Sequence, residues 1–470
     1  MTSAPRLPVP FRLPAGESRP CVVVVDGEHY PAAVADAIRE LQTEGWDVRA
    51  AALVGGGEKL RSEPDYGVPH VTPPAGDDTP GGALRAAISL AGPGTHQVLD
   101  LADEPVLVLE RRLELIGIAA SLQLVYRTAD TVVEPPRFEQ AAAPVLAIVG
   151  TGKRIGKTAA SAHAARVVDA HLGGDGAVVV VAMGRGGPAD PIVVDRSGGP
   201  ITVQRLLDIS RAGAHAASDY LEDAALTGLT TVGCRRVSGG LLGVPARSNV
   251  PAGVQTAVDL GPKLVLLEGS GSCVPPVAAD ANVLLATTDR PQDLLGGLGP
   301  YRLARADALV VMGNDHEQAR VLLDRATAHP AWRGTHAVAA SLVPTPVGEV
   351  DGRMVAAFTT APDIVAPIVE RELSAAGADV ALVSCALARR DELAHDLQRA
   401  KDAGVEALVV EIKAAAIDAV AEFADAHDLD VVFLDNVPRP HDSSVDLDAI
   451  LRDVADLALA RAATRLDDLA

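Results

Sequence analysis

The chain has 470 residues, 48 % of them hydrophobic, and a formal net charge of −21 at pH 7. This length and composition exclude a disordered or collagen-like protein and predict about three globular domains. The negative charge repels phosphate backbones and anionic lipids, so nucleic acid and acidic membranes are poor partners. A positive pocket in such a chain must be built locally, which makes each cluster of basic residues informative.

The sequence predicts a cytoplasmic protein. Its first 20 residues contain five prolines and no apolar core of a signal peptide, and no uncharged apolar run reaches the length of a membrane span. The four cysteines are scattered without a CxxC pair, so neither a disulfide framework nor a zinc site is expected. A homodimer is compatible with the sequence, which does not determine the oligomeric state.

Short Val/Ala/Leu runs alternate with helical patterns from Cys21 onward, which is typical of α/β folds with a mostly parallel sheet. We predict a P-loop domain with a doubly wound sheet, an additional N-terminal α/β domain and a C-terminal α/β extension. The predicted regions are a flexible segment (1–20), the N-terminal domain (21–136), the P-loop domain (141–345) and the C-terminal region (346–470). The pattern leaves open whether the last region folds apart or extends the same sheet.

The predicted elements follow one another in short units. In the first domain they are strands at 21–26 and 47–54 and helices at 32–41, 83–91 and 104–124. In the second they are strands at 145–149, 177–183, 263–267, 283–287 and 308–312 and helices at 157–170, 203–211 and 291–306. In the third they are strands at 355–358, 380–385, 407–412 and 431–435 and a closing helix at 445–466.

The segment GTGKRIGKT (residues 150–158) follows a predicted buried strand and opens a predicted helix. In that context a glycine-rich loop binds phosphate through converging backbone N–H groups. Lys157 would bridge the β- and γ-phosphates, and Thr158 would give its hydroxyl to Mg²⁺. The predicted cofactors are therefore ATP and Mg²⁺, although the strict pattern expects glycine at 151. The predicted nucleotide-binding residues of the loop are Gly150, Thr151, Gly152, Gly156, Lys157 and Thr158. A purely structural turn is the alternative.

Two further cations stand in this loop, Lys153 and Arg154, and the whole chain has only six lysines. Ordinary nucleotide binding does not require them. On an anionic chain they indicate extra negative charge at the γ-phosphate end, either in the transition state or on an anionic acceptor. We assign Lys153, Arg154 and Lys157 to catalysis. A solvated pair on the rim is the alternative for the first two.

An acidic motif, EGSGSCVPP (residues 268–276), follows the predicted strand at 263–267. Glu268 would lie at the carboxyl end of that strand, facing the crevice where open α/β sheets bind ligands. We predict that it acts in catalysis and in Mg²⁺ binding, directly or through water. Ser270 and Gly271 would contact an acceptor substrate. The alternative role of Glu268 is to cap the next turn.

Two glycine-rich segments carry arginines that are candidates for a second phosphate site. MGRGGPAD (183–190) follows a predicted strand, and GCRRVSGG (233–240) is predicted to be a loop. We therefore predict that Arg185, Arg235 and Arg236 bind substrate, against the alternative of solvated or ion-paired surface arginines.

Other polar residues follow predicted strands. Asn314 is a candidate for reading the nucleotide base, although the pair it forms with Asp315 could equally cap a helix. His29 could act as an acid or a ligand, or be structural. The same ambiguity applies to the strand-end residues Glu411, Lys413, Asp435 and Asn436.

The phosphate loop and the EGSGSCVPP motif together resemble those of dethiobiotin synthetase and its relatives, which activate acids with ATP. Over nearly the whole chain, the sequence is similar to the cyclic 2,3-diphosphoglycerate synthetase family. That resemblance includes DGEHYP (26–31), GCRR (233–236) and VVEIK (409–413).

The resemblance implies a small-molecule substrate, 2,3-diphosphoglycerate, which ATP converts to cyclic 2,3-diphosphoglycerate with release of ADP and phosphate. The γ-phosphoryl group would pass to one substrate phosphate, and the neighbouring phosphate would then attack the activated phosphorus. Two alternatives remain at this stage: a dethiobiotin-synthetase-like ligase acting on a carboxylate, and a switch-type P-loop ATPase.

Overall fold

The computed structural model describes residues 11, 19–60, 62–72, 80–212, 218–412 and 417–467. Most of the segment predicted to be flexible, and Lys413, lie outside these residues. By compactness the chain divides into two units. Unit 1 comprises Met1–Arg137, Arg290–Arg305 and Arg325–Arg333, and unit 2 comprises Phe138–Asp289, Ala306–Asp324 and Gly334–Ala470. The segments 290–305 and 325–333, which the sequence analysis includes in the P-loop domain, thus cluster with unit 1.

Nineteen strands are formed by the described residues: β1 (Arg19–Val25), β2 (Trp46–Leu53), β3 (His70–Val71), β4 (Gln97–Asp100), β5 (Val125–Arg127), β6 (Val132–Val133), β7 (Val145–Gly150), β8 (Val178–Gly184), β9 (Ile192–Val194), β10 (Thr231–Val237), β11 (Arg247–Ser248), β12 (Leu264–Glu268), β13 (Ala281–Thr287), β14 (Ala308–Met312), β15 (His336–Val347), β16 (Met354–Phe358), β17 (Asp379–Ser384), β18 (Ala407–Val410) and β19 (Asp430–Pro440).

Fourteen α-helices are formed by the same described part of the chain: α1 (Pro31–Thr43), α2 (Pro80–Ala91), α3 (Leu109–Ser121), α4 (Lys157–His171), α5 (Val203–Arg211), α6 (Asp219–Thr227), α7 (Val250–Asp259), α8 (Gln292–Leu295), α9 (Gly299–Leu303), α10 (His316–Thr327), α11 (Ala366–Ala375), α12 (Arg390–Asp402), α13 (Glu422–His427) and α14 (Leu447–Asp467). None of the described helices is long and apolar enough to cross a membrane.

Unit 1 contains a six-stranded sheet in the order β3-β2-β1-β4-β5-β6. All neighbouring strands are parallel except β5 and β6. The valines of β1 are fully buried, as expected for a central parallel strand covered by helices on both faces.

Unit 2 is built on a 13-stranded sheet in the order β11-β10-β8-β12-β7-β13-β14-β15-β19-β18-β16-β17, with β9 paired to β10. Every residue of β7, β8, β12 and β13 is buried. The predicted doubly wound, mostly parallel sheet is therefore confirmed. The β7–α4 connection carries the phosphate loop, and the carboxyl ends of the adjacent strands lie on either side of it.

One long strand, β15, joins the P-loop strands to those of the C-terminal region. Its first part pairs with β14 in parallel, up to Ala340, and its second part pairs with β19 in antiparallel fashion. Pro344 and Pro346 lie in this second part, beyond the end of the pairing with β14. A proline without an N–H is tolerated where one strand edge has no partner. The C-terminal strands therefore continue the same sheet.

Two local predictions are wrong. The predicted helix at 291–306 is two short helices, α8 and α9, with Gly296 and Gly297 between them. Glycine disfavours the helix interior because its backbone loses the most conformational entropy there. The predicted loop at 233–240 is largely strand, because residues 231–237 form β10 against β8 and β11.

Helix α14 is fixed to the sheet by a buried ion pair. Arg465 Nε lies 2.9 Å and Nη2 3.0 Å from the two oxygens of Asp280, which also accepts the N–H of Val145 at the start of β7. Arg465 donates further to the carbonyls of Ala141 and Ala143. Both charged groups are mostly removed from solvent. The loss of one partner would leave the other charge buried without compensation.

We expect Arg465→Ala to lower the free energy of unfolding by about 3 kcal/mol, because it leaves the buried Asp280 carboxylate without its charged partner. Urea denaturation followed by circular dichroism measures the change. Arg320→Ala is the matched control, because Arg320 makes only exposed ion pairs on α10 and should change stability by less than about 0.5 kcal/mol. Equal effects of the two substitutions would contradict the structural role of the pair.

Candidate functional site

The phosphate loop turns sharply between β7 and α4. A Cβ on Gly150, the last residue of β7, would lie 2.5 Å from Ile155 Cδ1, because the loop folds closely back over the strand end. Gly156, the N-cap of α4, has φ of 77° and would bring a Cβ within 2.8 Å of Leu342. The first N–H groups of a helix have no acceptor within that helix. The loop therefore presents α4 as an anion-binding helix terminus.

Lys157 reaches back across this loop. Its Nζ donates to the carbonyl of Gly152 at 3.3 Å, and the residue is only 9 % exposed. Burial lowers the pKa of Lys157 below its ordinary value, and the carboxylates of Glu268 and Asp219 oppose that effect. A buried ammonium group beside a helix terminus fits an anionic ligand that would replace its lost hydration.

Thr151 is fixed to the neighbouring strand. Its N–H donates to Leu285 of β13 at 3.0 Å. Its hydroxyl is buried without a hydrogen-bond partner. A buried polar group in this state requires an explanation, and a bound phosphate would supply one.

A pair of buried carboxyl groups lies beside the loop. Glu268 is the last residue of β12, and it lies within hydrogen-bonding reach of the Thr158 hydroxyl and of Asp223 on α6. Burial raises the pKa of Glu268, against the lowering effect of the hydrogen bond from Asp223. Burial, together with the charge of Glu268, raises the pKa of Asp223 well above its ordinary value.

The two carboxyl groups can bond only if one of them carries a proton. In the part of the chain that the structure describes, no N–H or hydroxyl group donates to either oxygen of the fully buried Asp223. Burial raises the pKa of both groups, so the pair takes up a shared proton more readily than two exposed carboxylates would. Asp219, one turn earlier on α6, adds a third carboxylate near Gly184 at the end of β8.

Two guanidinium groups and the aliphatic stem of a lysine converge on Gly271. This residue has φ of 61°, and a Cβ built on it would lie 2.9 Å from Arg185 Nη2, 3.6 Å from Arg236 Nη2 and 3.8 Å from Lys153 Cγ. The three side chains come from separate places: the loop after β8, strand β10 and the phosphate loop. We call this group the Gly271 cluster. Like charges this close repel one another, so an anion between them would stabilise the arrangement.

Arg236 is held in the cluster by the loop it faces. Nη1 donates to the carbonyl of Ser238 at 3.0 Å, and Nη2 donates to the carbonyl and hydroxyl of Ser270 at 3.0 and 3.2 Å. Its Nε is buried without a hydrogen-bond partner. The guanidinium is thus fixed in orientation and keeps one donor for a ligand.

Glycine is also needed at position 269, between these groups. A Cβ on Gly269 would lie 3.0 Å from the carbonyl oxygen of Cys273 and 3.2 Å from that of Ile148 on β7. The close backbone approach brings the loop after β12 beside the phosphate loop. The sequence-predicted residues Lys153, Lys157, Arg185, Arg236, Glu268, Ser270 and Gly271 are therefore brought into one neighbourhood.

Three predicted site residues lie apart from the Gly271 cluster. Arg235 precedes Arg236 on β10, so the two side chains point to opposite faces, and Arg235 is exposed. Arg154 has φ of 58° and is exposed on the same loop as Lys153. Asn314 is exposed after β14, and the N-cap alternative applies to its neighbour: Asp315 accepts the N–H of Gln318 at 3.0 Å.

The remaining strand-end residues have local hydrogen-bonding roles. In unit 1, Asp26 accepts hydrogen bonds from the Nδ1 of His29 at 2.9 Å and from the backbone N–H of Asp103 at 2.7 Å, which fixes the loop after β1. In unit 2, Glu411 accepts from Thr360 and Asn436.

Sequence reasoning missed Asp219 and Asp223. Their spacing of four puts both on one face of a helix, and this was the available signal. Nothing in the local sequence, however, shows that this face of the helix contacts the end of β12.

No group of three or more His, Cys, Asp or Glu side chains suited to a metal is found in the part of the chain that the structure describes.

Three family descriptions match the chain in succession. The N-terminal domain of cyclic 2,3-diphosphoglycerate synthetase matches residues 20–134, its P-loop domain matches residues 145–322, and its C-terminal domain matches residues 346–437.

Curated relatives with the name cyclic 2,3-diphosphoglycerate synthetase are similar over most of their length. The protein of Rubrobacter xylanophilus is 38 % identical over 449 residues, covering 94 % of this chain and 97 % of its own. That of Thermococcus kodakarensis is 36 % identical, covering 89 % and 94 %. That of Methanothermus fervidus is 35 % identical, covering 94 % and 98 %.

Among solved structures, LpxK from Aquifex aeolicus in complex with ATP has 13 % sequence identity and a TM-score of 0.39, covering 69 % of this chain and 90 % of its own. A DUF1611 family protein from Anabaena variabilis has 12 % identity and a TM-score of 0.18, covering 82 % and 99 %.

We expect Gly271→Ala to weaken the binding of inorganic pyrophosphate by about tenfold or more, because the methyl group occupies the point on which the three side chains converge. Isothermal titration calorimetry measures the affinity. Gly174→Ala is the control, since Gly174 also has positive φ (67°) but has open space around its Cβ position. Both variants should lose about 1 kcal/mol of stability from backbone strain. Equal pyrophosphate binding in the two variants would refute the cluster as an anion site.

Proposed function

The chain belongs to the cyclic 2,3-diphosphoglycerate synthetase family, and from that premise we propose that unit 2 uses ATP to close an intramolecular phosphoanhydride in 2,3-diphosphoglycerate. The products are cyclic 2,3-diphosphoglycerate, ADP and inorganic phosphate. The convergence of Lys153, Arg185 and Arg236 on Gly271, next to a phosphate loop, carries the proposal. One set of donors fits the nucleotide, and a second, separate set fits a second polyanion beside its terminal phosphate.

The residues beside Lys157 fit a magnesium ion. Mg²⁺ is usually held by one or two carboxylates together with substrate phosphates and water, so a site with few protein ligands is expected. Thr158 and Glu268 would hold it, since their side chains lie within hydrogen-bonding reach of each other beside the phosphate loop. When bound, it would neutralise charge on the β- and γ-phosphates. Asp223 would keep Glu268 oriented.

The first chemical step is transfer of the γ-phosphoryl group of ATP to one phosphate of the substrate. An oxygen of that phosphate attacks the γ-phosphorus, the bond to the β-phosphate oxygen breaks, and ADP leaves. Lys157 stabilises charge on the transferring group from the nucleotide side, and Lys153 does so from the acceptor side. The exposed Arg154, at the tip of the loop, can contribute a further positive charge to this stabilisation.

The second step closes the ring. An oxygen of the other substrate phosphate attacks the phosphorus that has been activated, and the phosphate received from ATP leaves. Arg185 and Arg236 hold the two substrate phosphates near each other, which makes the attack effectively unimolecular. No covalent bond to a protein side chain forms in either step. Arg185 can bind phosphate through two N–H groups, which fixes the orientation of the phosphate, and Arg236 adds its Nε–H.

Neither alternative from the sequence is favoured by a specific observation. A carboxylate-activating ligase needs fewer cations at the acceptor than the Gly271 cluster provides, and a switch-type ATPase needs no acceptor site.

We further propose that the protein acts in the cytoplasm on this small molecule, with neither nucleic acid nor membrane as a partner. We also propose that Asn314 and Arg235 contribute to ligand binding at the edges of the site.

The proposed reaction is tested by incubating the chain with Mg²⁺, ATP and 2,3-diphosphoglycerate and following the mixture by ³¹P NMR. We expect a new phosphoanhydride resonance, with ADP and phosphate released in equal amounts. Lys157→Met should reduce the rate by at least about 100-fold, since it removes a charge that stabilises the transferring group. ADP release that does not depend on 2,3-diphosphoglycerate would contradict the assignment.

Two adjacent arginines provide a matched comparison. We expect Arg236→Gln to raise the KM for 2,3-diphosphoglycerate by about 10- to 100-fold, because a charge-assisted hydrogen bond to phosphate is lost. Arg185→Gln should also raise the KM for 2,3-diphosphoglycerate. It does so without removing the hydrogen bonds that Arg236 donates to Ser270. Arg235→Gln, on the opposite face of β10, should raise the KM much less. The KM for ATP should stay within about threefold in all three. An Arg235 effect as large as that of Arg236 would contradict the geometry.

A further inference from the structure

The positions of the phosphate loop and the Gly271 cluster determine the direction in which a bound nucleotide would lie across the sheet. Glu268 lies at the end of β12, next to β7 in the sheet, and Arg185 and Arg236 lie farther out, after β8 and on β10. If the acceptor occupies that side, as the proposed function requires, the γ-phosphate faces it. The ribose and base then extend the other way, over the ends of β13, β14 and β15.

The backbone at that edge of the sheet is firmly fixed. Thr288 after β13 donates its N–H to Met312 at the end of β14 (2.9 Å), and Gly313 donates to Ala340 of β15 (3.0 Å). Strand spacing places the end of β14 about 10 Å from the end of β7, two strands away. A ribose and base joined to a phosphate at the loop can span that distance.

Two histidines form a flat surface at this edge. The rings of His316 and His441 are stacked, with centroids 5.2 Å apart and planes 10° from parallel. His441 follows β19, and its Nε2 donates to the carbonyl of Gly313 at 2.8 Å, while its N–H donates to Ala339 at 3.0 Å. These bonds fix the His441 ring, and the His441 ring covers one face of the His316 ring. His316, at the start of α10, is exposed.

We propose that the adenine base of ATP stacks on the outer face of the His316 ring. This inference rests on the proposed function for the direction of the nucleotide, and it adds a base-binding residue that the phosphate loop does not supply. Stacking between a base and an aromatic side chain is strong enough to affect binding measurably. His441 is a positioning residue, because it touches His316 and the sheet and not the base.

Asn314 completes the base site. It lies two residues before His316 and is exposed, so its side-chain amide can donate and accept one hydrogen bond each at the edge of adenine. Asp315, between them, is engaged with Gln318. The stacked pair therefore gives affinity for a flat base, and Asn314 gives preference among bases.

The test compares two probes that share the phosphates but not the base: Mg²⁺-ATP and Mg²⁺-tripolyphosphate. Isothermal titration calorimetry without 2,3-diphosphoglycerate should show that His316→Ala weakens ATP binding by about tenfold. Tripolyphosphate binding should be unchanged, and His316→Phe should restore most of the ATP affinity. This experiment measures binding and not turnover. Its result can therefore be interpreted even if the chain does not catalyse the proposed cyclisation.

His171→Ala is the matched control, since His171 also pairs with a neighbouring element but lies at the far end of α4. It should bind both probes as the parent chain does. Unchanged ATP affinity in His316→Ala overturns the proposal. So does an equal loss for tripolyphosphate, a loss that phenylalanine does not restore, or an equal loss in His171→Ala.

Discussion

The convergence of Arg185 and Arg236 on Gly271, next to the loop that carries Lys153, is the constraint on which the site depends. The molecule carries a net charge of −21, so its overall field repels the anions that this cluster is suited to bind. The cluster overcomes that field locally, and Arg236 is fixed there by hydrogen bonds to Ser238 and Ser270. Fixed donors cost no reorganisation when a phosphate arrives, which is why they stabilise developing charge more effectively than water does.

The sheet makes this concentration of charge possible. Its central strands are buried along their whole length, and their carboxyl ends all reach one edge, so residues far apart in sequence meet there. Gly269 lets the loop after β12 approach the backbone of Ile148 on β7, because a Cβ there would lie 3.2 Å from that carbonyl oxygen. The carboxylates of Glu268 and Asp219 balance part of the positive charge of Lys157.

Local sequence predicted those parts of the fold and site that depend on local chemistry. The β7–loop–α4 connection could be predicted because its glycines and Lys157-Thr158 are consecutive, and the apolar runs predicted the central strands. The loop predicted at 233–240 is a strand because β8 and β11 pair with it, which glycine content does not reveal. For the same reason the opposite orientation of Arg235 and Arg236 was not foreseen. Asp223 was missed because its role depends on contact between α6 and β12.

The central claim is that one nucleotide and one bisphosphate are held side by side. A crystal structure of the chain with a non-hydrolysable ATP analogue, Mg²⁺ and 2,3-diphosphoglycerate tests it most directly. The account predicts the analogue's phosphates on Lys157 and the helix terminus, and a substrate phosphate within hydrogen-bonding distance of Arg185 and Arg236. Density for the nucleotide alone, with its terminal phosphate filling the space at Gly271, would contradict it.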